Sequence, residues 1–229
     1  MKTQEKSYLN FEADDYFKRN SEAILNHEEN PEFKKLLESK NRVIESIKEC
    51  LISPEIVLEL GGSNGYVLSG IQREFQCKAY EIEPSGLAVE DGKKRFPNIN
   101  IRKGVASDLS SFEDGFFDFV LIKGVFCWIA REALLKSVSE IDRVLKDKGH
   151  LMVIDYFVER PIMNRNIHVN NEEIYCFKID YSEIFTATRI YSNLYKKIFP
   201  DSQIEFKGEN RHFISVLKKS FHGNYIKND

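Results

Sequence analysis

Residues 56–65 read Ile-Val-Leu-Glu-Leu-Gly-Gly-Ser-Asn-Gly, an apolar run holding one carboxylate and closed by a glycine-rich turn. A charge within a buried strand costs several kcal/mol unless it is paired or hydrogen-bonded. Glu59, set between Leu58 and Leu60, therefore calls for a cationic or hydrogen-bond-donating ligand above the strand. Gly61, Gly62 and Gly65 let the backbone turn sharply and approach that ligand closely. The helix expected from about Gly65 offers free N–H groups to an anionic part of it. Glu59 and its turn suit a zwitterion.

The elements that must hold this turn follow from the pattern around it. Strands are expected at residues 55–60, 78–82, 99–103, 117–122 and 150–156, with helices from Gly65, from Pro84 and over 131–145. Strands separated by helices in this rhythm give an α/β fold: a doubly wound, mostly parallel sheet with helices on both faces. Ahead of it, residues 1–52 read as a helical segment, in which Asn30-Pro31 opens a helix whose apolar spacing runs towards Pro54. Behind it, residues 181–199 read as a helix, and strands at 203–207 and 212–218 flank the turn 208–210. That hairpin makes the last of seven strands antiparallel. Sheets of this kind bind ligands beyond the carboxyl ends of their strands, where the strand order reverses. Glu59 to Gly65, Glu81 and Lys123 all fall at such ends.

Composition narrows the classes of function. The chain has 229 residues and a formal net charge of -3 from 33 basic and 36 acidic residues. Because those charges are interspersed, there is no basic stripe to make nucleic acid the partner. No stretch reaches the roughly 18 consecutive apolar residues of a membrane span, and the first residues lack the apolar core of a signal peptide. The expectation is a cytoplasmic protein with no membrane partner. Cys50, Cys77, Cys127 and Cys176 form no C-x-x-C pair and the five histidines are scattered, so reduced thiols and no metal site are expected.

The glycine spacing does not make G-x-G-x-x-G, since Ser63 stands where a dehydrogenase would place a glycine. It fits [Asp/Glu]-x-Gly-x-[Gly/Ser/Ala]-x-Gly, and with it the chain resembles the class I S-adenosylmethionine-dependent methyltransferases from Glu55 to about Leu217. The resemblance implies a Rossmann-like methyltransferase domain over 53–229, S-adenosyl-L-methionine as cofactor and S-adenosyl-L-homocysteine as product. Glu59, Gly61, Gly62, Ser63 and Gly65 match the first motif. Glu81, with Ile82 beside it, matches the position that accepts the ribose hydroxyls, and Glu83 reads as a solvent-facing neighbour. Lys103-Gly104-Val105-Ala106-Ser107-Asp108 falls where the family has Gly-Asp-Ala. Here Val105 replaces the aspartate, which leaves adenine to Val105, Ala106 and Ser107, with Asp108 nearby. Lys123 and Gly124 match the floor beside the methionine moiety.

A narrower likeness lies outside that core. Asp15-Tyr16-Phe17-Lys18-Arg19-Asn20, Ile122-Lys123-Gly124-Val125, Asp155-Tyr156-Phe157 with Pro161, and Phe177-Lys178-Ile179-Asp180-Tyr181 resemble methyltransferases associated with pseudaminic acid and other surface-sugar biosynthesis. The resemblance implies a small, polar, sugar-like acceptor; for the assembly, a homodimer is one open possibility. Tyr16 and Arg19 would form a lid over the methionine carboxylate. Residues 157–181 form a long substrate-side insertion holding Arg165, His168, Asn170, Asn171, Glu172 and Glu173, and long connections at this edge are usually functional. His168 is either the general base or an ordinary surface histidine. Asp155 and Tyr156, at the end of the fifth strand, either orient a hydroxyl or, for Asp155, close the strand end. The competing readings are a non-catalytic module of the same fold and a nicotinamide-dependent sugar enzyme.

Overall fold

A computed structural model describes residues 4–25, 31–169, 173–199 and 211–226. Three helices open the chain, α1 (Gln4–Phe11), α2 (Ala13–Leu25) and α3 (Pro31–Glu49). There follow β1 (Ile56–Leu60), α4 (Tyr66–Phe75), β2 (Lys78–Glu83), α5 (Gly86–Arg95), β3 (Asn100–Lys103) and β4 (Phe117–Lys123). A 3-10 turn (Phe126–Trp128) leads to α6 (Arg131–Val144) and β5 (Leu145–Tyr156). The chain ends with β6 (Ile162–Arg165), β7 (Tyr175–Lys178), α7 (Ser182–Thr186), β8 (Tyr191–Phe199) and β9 (His212–Lys219).

Seven strands make one sheet in the order β3-β2-β1-β4-β5-β9-β8. The first five are parallel, and β9 runs antiparallel to both β5 and β8. The order reverses between β1 and β4, so the crevice above their carboxyl ends is where such a sheet takes a ligand. Strand runs such as Phe-Asp-Phe-Val-Leu-Ile-Lys are apolar on both sides because both faces are covered. Side chains alternate across the sheet, so successive residues feed two cores. Val57, Phe119, Leu121 and Met152 pack against Val43 and Ile47 of α3 and Leu68 and Ile71 of α4. Leu58, Leu60, Val120 and Ile122 pack on the opposite face with Ile141 and Val144 of α6 and with Phe126, Tyr181 and Phe185.

The expected seven-stranded α/β architecture with N-terminal helices and an antiparallel strand near the end is what the chain adopts, with two local differences. Residues 181–199 are not one helix: α7 is short, Arg189 turns with φ 62°, and β8 then pairs with β9 at eight positions. The aromatic and apolar residues of 181–199 satisfy either period over a short stretch, and the ladder offered by β9 decides for strand. The strand expected at 203–207 and the turn 208–210 lie outside the described residues, as does Asn30. The insertion is not a plain loop, since β6 and β7 pair antiparallel into a small separate sheet. Among the described residues no helix is long and apolar enough to cross a membrane.

Leu121 lies on the central strand β4 and is fully buried in the core beneath the helices α3 and α4. Leu121→Ala should lower the free energy of unfolding by about 2–5 kcal/mol through lost transfer energy and the cavity left behind. Chemical denaturation measures it, and a loss under about 1 kcal/mol would mean that this core face closes up around the deletion.

Candidate functional site

A cavity of about 650 Å³ opens over the carboxyl ends of β1, β2, β4 and β5. Its floor is the turn after β1. Gly61 has φ +68°, and a side chain there would collide with the Cγ2 of Val125. A Cβ on Gly62 would stand 2.6 Å from the Glu59 carboxylate. Both positions thus exclude side chains, which keeps the backbone low and the space above it open. Ser63 also lies in the left-handed region, at φ 65°, and Gly65 (φ 80°) caps α4.

Three glutamates converge beneath and beside this turn. Glu59 on β1 and Glu81 on β2 are directly opposite in the parallel register, and Glu83 follows at the end of β2. Glu59 is 1% exposed and lines the cavity, and its Oε2 has no hydrogen-bond partner. Burial pushes its carboxyl up to about 7, opposed by the charge of Lys123 and by the backbone N–H of Leu68. Glu83 accepts hydrogen bonds from the backbone N–H of Ser63 (3.0 Å) and of Ser85 (2.8 Å). It thereby ties the glycine turn to the start of α5. Burial raises it too, to about 7, against those two hydrogen bonds.

Here the structure corrects the sequence reading. Glu83 does not face solvent: it is 7% exposed and lines the cavity. Glu81 is not among the cavity-lining residues; it is fully buried behind Gly65, whose built Cβ would lie 3.1 Å from its Oε2. Neither Glu81 oxygen has a partner. Burial first, then the charges of Glu59 and Glu83, push its carboxyl well above the ordinary range, so it holds its proton. Where β2 stops accounts for the difference. Glu81 and Glu83 share one face of β2, and only the residue at the strand's last position projects past the sheet edge.

The other expected residues divide in the same way. Ile82, Val105, Ala106, Ser107, Lys123, Gly124, Tyr16 and Tyr156 line the cavity. Asp108 turns away to bond Ser110. Ser107 Oγ donates to Glu5 of α1 (2.8 Å), which brings the first helix over the loop after β3. Asp14 of α2 accepts from Ser85 Oγ (2.6 Å) and from the N–H of Leu87. The Gln4 side chain donates to the carbonyls of Trp128 and Tyr175 and accepts from the N–H of Tyr175. The helices α1 and α2 are thus fastened across the mouth of the cavity by polar contacts to four separate segments. Arg19 does not reach the cavity, because it pairs with the buried Glu12 at 2.6 Å. Glu12 also accepts from Asn166 of the insertion (2.9 Å), so this pair joins the N-terminal helices to the hairpin of β6 and β7.

His168 lies on an exposed turn beside the small hairpin and does not line the cavity. Its backbone N–H, not its ring, makes the local hydrogen bond, to Asn166. Asn170, Asn171 and Glu172 lie outside the described residues. Asp155 is 1% exposed and spends its oxygens on the backbone N–H groups of Cys127 (3.2 Å) and Tyr156 (2.8 Å). Those bonds hold the 3-10 turn against the end of β5. Burial raises Asp155 to about 6. Among the cavity residues that escaped the sequence reading are Tyr8 on α1 and His212 at the start of β9. Only the pairing of β9 with β5, which sets His212 against Tyr156, could have found the second. Among the described residues no cluster of histidine, cysteine, aspartate or glutamate is arranged to hold a metal ion.

The fit to an adenosyl amino acid can be tested on these features alone. The unpartnered Glu59 oxygen offers an acceptor to an ammonium group, the low turn leaves room for it, and Glu83 presents a second carboxylate to the same cavity. Each matches the cofactor that the motif implies.

Comparisons with known proteins agree. Residues 58–153 match the family model described as a methyltransferase domain. No curated protein matches the chain. Among solved structures, the N-methyltransferase NodS from Bradyrhizobium japonicum WM9, in complex with S-adenosyl-l-homocysteine, superposes with a TM-score of 0.62 at 13% identity, covering 89% of this chain and 97% of that one. The Burkholderia thailandensis 1,6-didemethyltoxoflavin-N1-methyltransferase, with its substrate and S-adenosylhomocysteine bound, superposes at 0.59 and 10% identity, covering 85% and 93%. The MccD protein superposes at 0.61 with 17% identity, covering 78% and 96%. At these identities the structures speak for the fold, whereas the family model speaks for the segment that forms the cradle. Residues 58–153 match a methyltransferase domain, and the chain as a whole takes the fold of these methyltransferase structures.

Proposed function

We propose that this chain is an S-adenosylmethionine-dependent methyltransferase that methylates a small polar acceptor, a sugar or sugar-derived intermediate of surface polysaccharide biosynthesis, in the cytoplasm. The observation that carries the reading is the buried Glu59 carboxylate, whose unpartnered oxygen faces a cavity floored by a side-chain-free turn. The acceptor class draws on the strings at 15–20, 122–125, 155–157 and 177–181, and on the aromatic rings of Tyr8, Tyr16, Trp128 and Tyr156 around the cavity. Flat aromatic faces suit the apolar faces of a sugar ring, and also a sulfonium cation.

When bound, S-adenosylmethionine supplies a methyl carbon on positively charged sulfur, so the leaving group is already activated. The protein has to position, desolvate and exclude water. Glu59 holds the amino-acid ammonium, and the turn Gly61 to Ser63 gives its backbone to the carboxylate end. Glu83, rather than Glu81, takes the ribose hydroxyls. Val105, Ala106 and Ser107 border the adenine. Lys123 and Gly124 floor the methionine arm. Tyr16 covers it from α2, while Arg19 keeps the lid together through Glu12. Tyr156 borders the acceptor, and Asp155 fixes the turn that carries Cys127 and Trp128.

Calorimetry with S-adenosylhomocysteine tests the cofactor assignment, and absence of binding to folded protein at high micromolar ligand would end it. Glu83→Gln should weaken that binding about 10- to 100-fold by removing charge-assisted hydrogen bonds, whereas Glu81→Gln should change it no more than about threefold. The reverse ranking would return the ribose to Glu81. Gly61→Val should abolish binding, since it adds both a clash with Val125 and a strained φ; retained affinity would show that the turn is not the cradle.

Stability carries an independent signature. Glu59 and Glu83 titrate near 7 when folded, above the ordinary carboxylate range, so the folded chain binds more protons than the unfolded one between those values. Their contribution to the ligand-free fold therefore worsens as pH rises from about 4.5 through 7. Glu59→Gln should raise the thermal midpoint by several degrees at pH 8 and by little at pH 4.5. Equal effects at both pH values would mean that desolvation of the charged form is not what limits this site.

A further inference from the structure

Nothing so far accounts for the proton that a hydroxyl acceptor must lose. His168 does not line the cavity, and Asp155 has both oxygens engaged by backbone N–H groups. Burial pushes the Tyr156 phenol upward, so it stays neutral, and Glu59 and Glu83 stand at the cofactor end. Among the described residues, His212 is the only histidine that lines the cavity.

Its position is set by the sheet. His212 opens β9 directly opposite Tyr156, the last residue of β5, and the N–H of Phe157 donates to the carbonyl of Arg211 (2.7 Å), so the ladder continues past the pair. The two rings lie 4.7 Å apart between centroids at 33°. The N–H of Gly124 donates to the carbonyl of Ile154 (2.7 Å), which fixes this end of β5 beside the floor of the cavity at Lys123 and Gly124. Lys178 of the insertion is 4% exposed and carries its ammonium 4.3 Å from the centroid of the same Tyr156 ring. A neutral imidazole has one nitrogen able to accept a proton.

We propose that His212 is the catalytic residue that takes the proton from the acceptor's hydroxyl, with the Tyr156 ring and the strand ladder holding it in place. This inference rests on the methyltransferase reading and names the acceptor as a hydroxyl compound. The O–H bond breaks with its electron pair left on oxygen, and the proton passes to an imidazole nitrogen. That oxygen pair forms the bond to the methyl carbon while the carbon–sulfur pair stays on sulfur as a neutral thioether. The imidazolium then returns its proton to water.

The test needs no acceptor. Sinefungin, an S-adenosylmethionine analogue with a protonated amine at the methyl-bearing position, places a cation where S-adenosylhomocysteine has none. The histidine resonances of the full chain are titrated by NMR in each complex, with His212→Gln assigning the signal. The His212 imidazole should titrate lower with sinefungin than with S-adenosylhomocysteine by ~0.5 pH unit or more, as expected for like charges within several ångströms. The same value in both complexes, with both ligands bound, would overturn the inference and leave the cofactor assignment intact. Failure of both ligands to bind would remove the cofactor reading and this inference with it. His212→Gln should hold S-adenosylhomocysteine within about twofold of the parent affinity, and a loss above about tenfold would put the imidazole on the cofactor and sink the role given to it.

Discussion

Desolvation of carboxylates at the carboxyl edge of β1 and β2 is the constraint around which the rest of the molecule is arranged. Glu59, Glu81 and Glu83 are all buried, and Glu59 and Glu81 share a register position on neighbouring strands. Three like charges there could not all persist. The arrangement resolves this by giving each group a different environment. Glu83 receives two backbone N–H donors, Glu59 feels Lys123 across β4, and Glu81, with no donor, keeps its proton. A cationic, hydrogen-bond-donating ligand would relieve the two groups that face the cavity, as the proposed cofactor does.

The lid follows from the same logic. A desolvated carboxylate binds a cation strongly only while water is kept out, and the helices α1 and α2 supply that cover. They are held by short polar contacts rather than by a broad apolar face: Gln4 to the 3-10 turn and β7, Glu5 to Ser107, Asp14 to the start of α5. Such contacts cost little to exchange for water, which suits a cover that must let ligands pass. The Glu12 carboxylate is the firmer joint, since it binds both Arg19 and Asn166 in a buried setting and ties the cover to the hairpin of β6 and β7.

The end of the cavity proposed for the acceptor is built differently. There the long ladder between β5 and β9 carries Tyr156 and His212 to the cavity on rigid backbone. The insertion contributes Lys178 from a second small sheet. A site on strand ends is held more closely than one on a loop, which suits a reaction whose rate depends on aligning a nucleophile with a fixed carbon.

The sequence alone determined the alternation of strands and helices, the glycine turn with its carboxylate, and hence the fold and the kind of ligand. These are local properties, written in hydrophobic period and in residues without a Cβ. It also located the floor of the cavity, because strand ends of a parallel sheet all lie on one edge. Tertiary structure decided what depends on pairing and burial. Which of two glutamates on one face of β2 emerges past the sheet edge is a matter of where the strand stops. Arg19 turns from the cavity to Glu12, whose carboxylate also takes Asn166 of the insertion. Residues 191–199 became a strand because β9 offered a ladder, and that same strand β9, 56 positions beyond Tyr156 in the chain, brought His212 against the tyrosine ring. No local pattern encodes an antiparallel partner at that separation, because register is settled only when both strands and their shared core meet.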